Sequence, residues 1–267
     1  MAVNDSEPVP GEGGTALALR VIHEDACWLV VNKPAGLVCH PTKRGPASSL
    51  IGRVRWHLAG LAPGHLINRL DRETSGVVLV AKDLETTRSA RKAWEQRQVR
   101  KEYWAIVHGA VAEASGWIEA RLGRDEASQV AIKDCVRVDG VEAVTRYEVV
   151  ERVRRSEGLF TWLRLFPQTG RKHQLRIHLA HLGHPIVGDK LYGLDEDCYL
   201  ALVQDRLTEE QRHRLLLPFH ALHARSVTLP PELGGACYEA DPEPWLRGFM
   251  RGGDGRRVDE AGVPVAG

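Results

Sequence analysis

The reading turns on His65-Leu66-Ile67-Asn68-Arg69-Leu70-Asp71-Arg72-Glu73-Thr74-Ser75-Gly76-Val77-Val78-Leu79-Val80-Ala81-Lys82. Two short apolar runs flank a polar segment that closes on Ser75-Gly76. Val77 to Val80 is continuously apolar with three β-branched residues, the pattern of a buried strand. His65 to Leu70 reads as a weaker strand, with Asp71 at its end. A carboxylate is thus set on a loop between two rigid elements, a usual place for a reacting residue. Arg69 and Arg72 are near enough in sequence to favour the ionised acid. The plainer alternative is a turn, with Asp71 bonding its own backbone beside Thr-Ser-Gly. Local chemistry alone favours the turn.

The surrounding chain has 267 residues, 43% hydrophobic and 27% charged, which suits one sizeable domain or two small ones. Its five cysteines are scattered without a Cys-x-x-Cys pair, so a zinc ribbon is not expected and a reduced, cytoplasmic setting is. The acidic start, Met1 to Pro8, lacks the apolar core of a signal peptide, and no apolar run approaches membrane-spanning length. The net charge of +1 does not by itself announce a nucleic-acid partner. The distribution is uneven. Arg88 to Lys101 holds six cations against one anion, Glu95, and Arg164 to Arg176 holds four cations and no anion. Such runs form either a basic face or merely a solvated one.

Residues 1–16 are polar and Gly/Pro-rich and read as a flexible tail. Strands are predicted over Leu17–Ile22, Cys27–Val31, Val99–His108, Gly116–Arg121, Glu142–Arg152, Leu159–Phe166 and Ala221–Leu229. Helices are predicted over Leu50–Ala59, capped by Ser48 or Ser49, and from Asp83 as cap to Gln96. Leu84, Thr87, Arg91 and Trp94 would line one side of the second. Further helices are predicted over Arg171–Leu182 and Thr208–Leu215. Leu122–Asp134 and the segment up to Asp197 read as loops. Beyond residue 231 the chain turns acidic and Gly/Pro-rich, and a tail over 232–267 is expected, disordered after about Met250. Strands outnumber helices without strict alternation. The expected fold is therefore α+β, with a mixed, mainly antiparallel central sheet flanked by helices and loops.

Several ordered blocks share a family pattern. Arg69-Leu70-Asp71-x-x-Thr74-Ser75-Gly76, with its valine-rich strand and Ala81-Lys82, resembles the signature of the RluA-type pseudouridine synthases. Leu29 to Val38 resembles that family's first block, and Lys101-Glu102-Tyr103 its Lys-x-Tyr. Thr169 to Arg176, followed by Gly183, Pro185-Ile186, Gly188-Asp189 and Tyr192-Gly193, resembles a third block. Leu222-His223-Ala224 resembles a later one. The likeness runs from about Leu29 to about Pro231, so a catalytic domain over 17–231 is expected. One departure is Asn68, where the family has His; it bears on loop packing or RNA contact and leaves the acid untouched. The residues before Leu17 are too few for the small RNA-binding module that some relatives carry.

The resemblance implies an isomerase that converts uridine within ribosomal or transfer RNA, with no cofactor and no metal. It implies Asp71 as the essential carboxylate, Arg176 as its partner, and Tyr103 stacking on the uracil and helping to remove the C5 proton. Arg69 would fill the gap left by a swung-out uridine. Lys101, Arg171, His173 and Arg72 would contact RNA. A structured RNA is the expected partner, with no membrane, no obligatory protein partner and a monomeric state. A degenerate RNA-binding protein on the same fold is the alternative; it would be expected to lack Asp71, Tyr103 or Arg176, and all three are present. His173, His178, His181 and His184 invite a metal reading, but the row has no acidic partner and no known spacing.

Overall fold

The computed structural model describes residues 18–41, 48–251, 256–261 and 263. The N-terminal tail expected over residues 1–16 lies outside them. The strands are β1 (Val21–Glu24), β2 (Trp28–Lys33), β3 (His65–Leu66), β4 (Ser75–Ala81), β5 (Arg100–His108), β6 (Ser115–Glu119), β7 (Leu122–Arg124), β8 (Asp134–Val136), β9 (Val144–Arg155), β10 (Gly158–Pro167), β11 (Leu222–Thr228), β12 (Cys237–Glu239) and β13 (Arg256–Arg257). The helices are α1 (Leu50–His57), α2 (Leu84–Glu95), α3 (Gln174–His181), α4 (Asp197–Val203), α5 (Glu209–Leu215) and α6 (Pro244–Arg251).

One sheet runs β1-β2-β4-β11-β5-β10-β9-β13, with β3 on β4, β6 on β9 and β12 on β11; β7 and β8 form a separate ladder. Among the described strands only β4 and β11 pair in parallel, His223 opposite Ser75 and Ala224 opposite Gly76. The fold is thus α+β with a mixed, mainly antiparallel sheet.

All seven residues of β4 are buried, which explains its unbroken apolar sequence. Val77, Leu79 and Ala81 pack with Ala90 and Ala93 of α2. Val78 and Val80 pack on the other face with Leu50, Ile51 and Val54 of α1. Each fully buried Val adds on the order of 1.5–3 kcal/mol of hydrophobic stabilisation. A third core joins β5 and β10 to α3 and α6 through Leu163, Leu165, Leu179 and Leu246.

Helix starts follow their caps. The Ser49 hydroxyl accepts from the Gly52 amide, Asp83 from Thr86, and Thr208 from Gln211. Several boundaries differ from the expectation. The strand expected over Leu17–Ile22 is Val21–Glu24 within the described residues, and that expected over His65–Leu70 keeps only two residues. The buried side of α2 is Thr87, Ala90 and Ala93, whereas Arg91 is exposed and Leu84 is 57% exposed. Leu122–Asp134 is not simply a loop, because its ends pair as β7 and β8. Helix α4 stands just beyond the segment read as a loop. The division at residue 231 does not follow the structure: β12 pairs with β11, β13 with β9, and α6 packs on the third core.

Candidate active site

Asp71 sits between β3 and β4 on a loop tied down on every side. Asn68 is buried and acts as a surrogate strand residue: its Nδ2 donates to the Val77 carbonyl at 3.1 Å and its Oδ1 accepts from the Leu79 amide at 2.8 Å. It thus continues the β3–β4 pairing by side chain. After Asp71, the Thr74 hydroxyl lies 2.7 Å from His220 Nε2, and the Ser75 hydroxyl 2.8 Å from His223 Nδ1. His223 Nε2 donates to the Ala240 carbonyl, leaving Nδ1 to accept from Ser75. Glu73 accepts from Lys190 Nζ at 2.9 Å and from the His220 amide at 3.2 Å. Lys33 is fully buried, and its Nζ donates to the carbonyls of Pro34, Leu37 and Arg72. Burial pulls the Lys33 pKa down to about 8.

Helix α3 brings in Arg176 and His173. Arg176 Nη1 donates to Asp71 Oδ2 at 3.1 Å. Its Nε and Nη2 donate to the two oxygens of Asp189, at 2.6 and 2.9 Å, a bidentate pair. Asp189 Oδ1 also accepts from the amides of Leu191 and Tyr192. Burial opposes the Asp189 charge, and Arg176 overrides it, so the acid stays well below the usual carboxylate range. The Arg176 guanidinium lies 4.9 Å from the centre of the Tyr192 ring.

Asp71 is treated alike. Burial raises its pKa, and Arg176, His173 and His220 together bring it below the ordinary value. Its side chain remains 31% exposed. His173 takes a left-handed backbone at the N-cap of α3 and sets Nε2 3.9 Å from Asp71 Oδ1. The Tyr192 oxygen accepts from the Asp134 amide and lies 2.9 Å from His173 Nδ1, which holds the ring in place. Burial lowers the His173 pKa, favouring the neutral imidazole.

A cleft of about 300 Å³ opens beside Asp71, with Tyr103, Leu222, Trp94 and Lys101 among its walls. A second cleft of about 440 Å³ meets it at Asp71, Arg69, His173 and Arg176. Of the residues singled out in the sequence, Asp71, Tyr103, Arg176, Arg69, Lys101, Arg171 and His173 line the first cleft, and Arg72 lines the second. Burial and the nearby Asp71 charge raise the Tyr103 pKa above the ordinary phenol value. Burial and Arg97 lower that of Lys101 to about 8. Arg69 is exposed, while Arg171 is tied by Nε to the Glu142 carbonyl. The four histidines do not converge. His178 is buried between Thr145 and the Ala120 carbonyl, and His184 is bonded to the His108 carbonyl. Among the described residues no group of His, Cys, Asp or Glu could hold a metal ion.

Sequence reasoning gave no role to Asp189, Lys190, His220 or Tyr192. Gly188-Asp189 and Tyr192-Gly193 were visible as a motif, but nothing local says that a buried acid there backs an arginine 13 residues earlier.

The profile of a family described as RNA pseudouridylate synthase matches residues 27–181, more than half of the chain. A ribosomal large subunit pseudouridine synthase D of Xanthomonas campestris pv. campestris is 39% identical over 180 residues, 66% of this chain and 52% of its own length. The protein of that name from Pseudomonas aeruginosa is 33% identical over 245 residues, 88% of this chain and 72% of its own. The chain spans about half to two thirds of the length of the first curated relatives it matches. Among solved structures, Human RNA Pseudouridylate Synthase Domain Containing 1 superposes with a TM-score of 0.66 at 27% identity, over 90% of this chain and 87% of that one.

Proposed function

The chain belongs to the RNA pseudouridylate synthase family, in its RluA-type branch, and we propose that it isomerises uridine to pseudouridine within ribosomal RNA. The reaction breaks the N1–C1′ bond, turns the uracil, bonds C5 to C1′ and moves the C5 proton to N1. Nothing is oxidised and no group is lost, so the chemistry calls for a positioned carboxylate rather than a cofactor. Ribosomal RNA is favoured over transfer RNA because the named relatives are ribosomal large subunit synthases.

The observation that carries this reading is the Asp71–Arg176 pair at the edge of an open cleft walled by Tyr103. Arg176 engages Oδ2 and fixes the rotamer, which leaves Oδ1 as the oxygen for the nucleoside. The lowered pKa keeps that oxygen charged at neutral pH. Tyr103 acts as a neutral phenol, since its raised pKa withholds the phenolate. Its ring stacks on the uracil, and it does not act as a phenolate base at C5. Arg69, exposed and without an acid partner among the described residues, takes the gap in the RNA; Lys101, Arg171, His173 and Arg72 border the same path. Swinging a base out costs a few kcal/mol in paired RNA, so looped sites are the expected targets.

The test is Asp71→Asn assayed by tritium release from RNA labelled at uridine C5. A loss of at least ~10²-fold with unchanged circular dichroism is expected, and near wild-type release would remove the assignment. Mapping pseudouridines in total RNA from cells with and without the gene separates ribosomal from transfer RNA.

A further inference from the structure

Helix α2 carries a cationic row that the site described above does not use. Arg88, Arg91 and Trp94 recur every third residue, so they form one ridge on the helix surface. Thr87, Ala90 and Ala93 bury the opposite side, leaving Arg88, Arg91 and Lys92 exposed. None of the three forms an ion pair with a described residue. Glu95 stands four residues from Arg91 and three from Lys92, a spacing that permits pairing, yet it pairs with neither. Other arginines of the surface are neutralised: Arg164 bonds Glu102 and Glu148, Arg137 bonds Glu126 and Asp139, and Arg225 bonds Glu239. The ridge therefore presents charge that the fold leaves uncompensated.

The ridge also leads somewhere. Its last member, Trp94, is a wall of the Asp71 cleft, and Lys101 Nζ sits 5.6 Å from the centre of its ring. Arg88 to Trp94 spans ~9 Å of helix axis, enough to meet more than one phosphate of a strand.

We propose that this ridge is a docking track for the phosphate backbone of the RNA stem next to the target uridine, with Trp94 and Lys101 marking where the strand leaves the stem and enters the cleft. The proposal rests on the RNA reading of that cleft. Charge complementarity and continuity with the cleft identify the occupant. A polyanionic backbone fits a row of exposed guanidinium and ammonium groups, and its affinity falls as salt rises.

The experiment measures the dissociation constant of the full chain for a labelled RNA hairpin with a 12-base-pair stem and a uridine loop, across potassium chloride concentrations. A uridine octamer serves as the stemless probe. Replacing Arg88, Arg91 and Lys92 together by Ala should flatten the slope of log Kd against log salt by about two to three units on the hairpin, at ~0.9 per lost phosphate contact. Octamer affinity should change less than about twofold, because the cleft is intact. Lys at positions 88 and 91, with Lys92 kept, should restore the slope and rule out a folding defect. Ala at Arg212 and Arg214 of α5 should leave it unchanged. An unchanged hairpin slope in the triple variant, or equal losses on hairpin and octamer, would overturn the proposal. So would poly-glutamate competing as well as hairpin at equal charge, which would assign the ridge to an acidic protein. Asp71→Asn keeps the two readings apart: it should remove pseudouridine formation and leave the salt slope at its wild-type value.

Discussion

Asp71 has its charge set by the fold itself. Its folded pKa lies below the unfolded value, so ionisation favours the fold above ordinary carboxylate pH, and that contribution fades as pH falls through the folded value. Burial takes His220 to about 3 and lowers His173 as well. Both imidazoles are therefore held below the ordinary histidine value, and kcat/KM should show no acid limb from these groups above about pH 6.5. An acid limb centred near pH 7 would contradict it. Lys101 carries the opposite signature. Its pKa of about 8 means that its charge is lost as pH rises through that value. RNA affinity should weaken above pH 8, and Lys101→Arg, charged throughout, should remove the decline. The sign for stability is reversed, since the unfolded lysine holds its proton to higher pH and the fold gains as pH climbs from about 8. Residue types with a shared motif, Asp71 and Tyr103 among them, could be singled out from sequence. Asp189, Lys190 and His220 could not, because their roles come from burial and from partners distant in sequence.

At the scale of elements, the parallel contact of β4 with β11 sets the loop that bears Asp71. Gly76 has φ +117°, and a Cβ there would stand 2.2 Å from the Ala224 carbonyl oxygen. Gly76→Ala should therefore cost about 1–3 kcal/mol from backbone strain alone, with the clash added. A denaturant midpoint close to wild type would refute this. Helices α1, α2 and α5 were legible because Ser49, Asp83 and Thr208 announce them chemically. Helix α4 starts at Glu196, whose side chain makes no cap bond; Asp195 accepts from the Cys198 amide instead, and its acidic run reads locally as loop. Strands β7 and β8 are three residues each, too short for alternation to register. Asn68 explains why the strand pattern before Asp71 outran β3: the pairing continues there, carried by an amide side chain rather than the backbone.

Across the whole molecule, acidic and Gly/Pro-rich composition hid the part played by residues beyond 231. Leu246 of α6 is buried and the Phe249 ring packs edge-on to Phe160, 5.2 Å between centres. Glu243 accepts from the Ala35 amide, within the turn that Lys33 ties to Arg72. Leu246→Ala should destabilise the protein by ~2–5 kcal/mol in urea titration, whereas a true tail would tolerate it. Charge distribution was only partly legible for a similar reason. The run from Arg164 to Arg176 allowed a basic face or a merely solvated one, and pairing scatters it: Arg164 is neutralised on β10, and Arg176 is enclosed by acids.

That enclosure bears on the reaction proposed for Asp71. Two carboxylates share one guanidinium, and the deeper of them is fully buried. If Asp71 becomes momentarily neutral, as an ester or a protonated acid, Arg176 still has Asp189 as its counter-ion, and no stranded cation remains. Stripping one member from a lone buried pair costs ~3–5 kcal/mol; here the spare acid absorbs the change. Under the proposed reaction, discharging and restoring the outer carboxylate would leave the scaffold beneath electrically balanced.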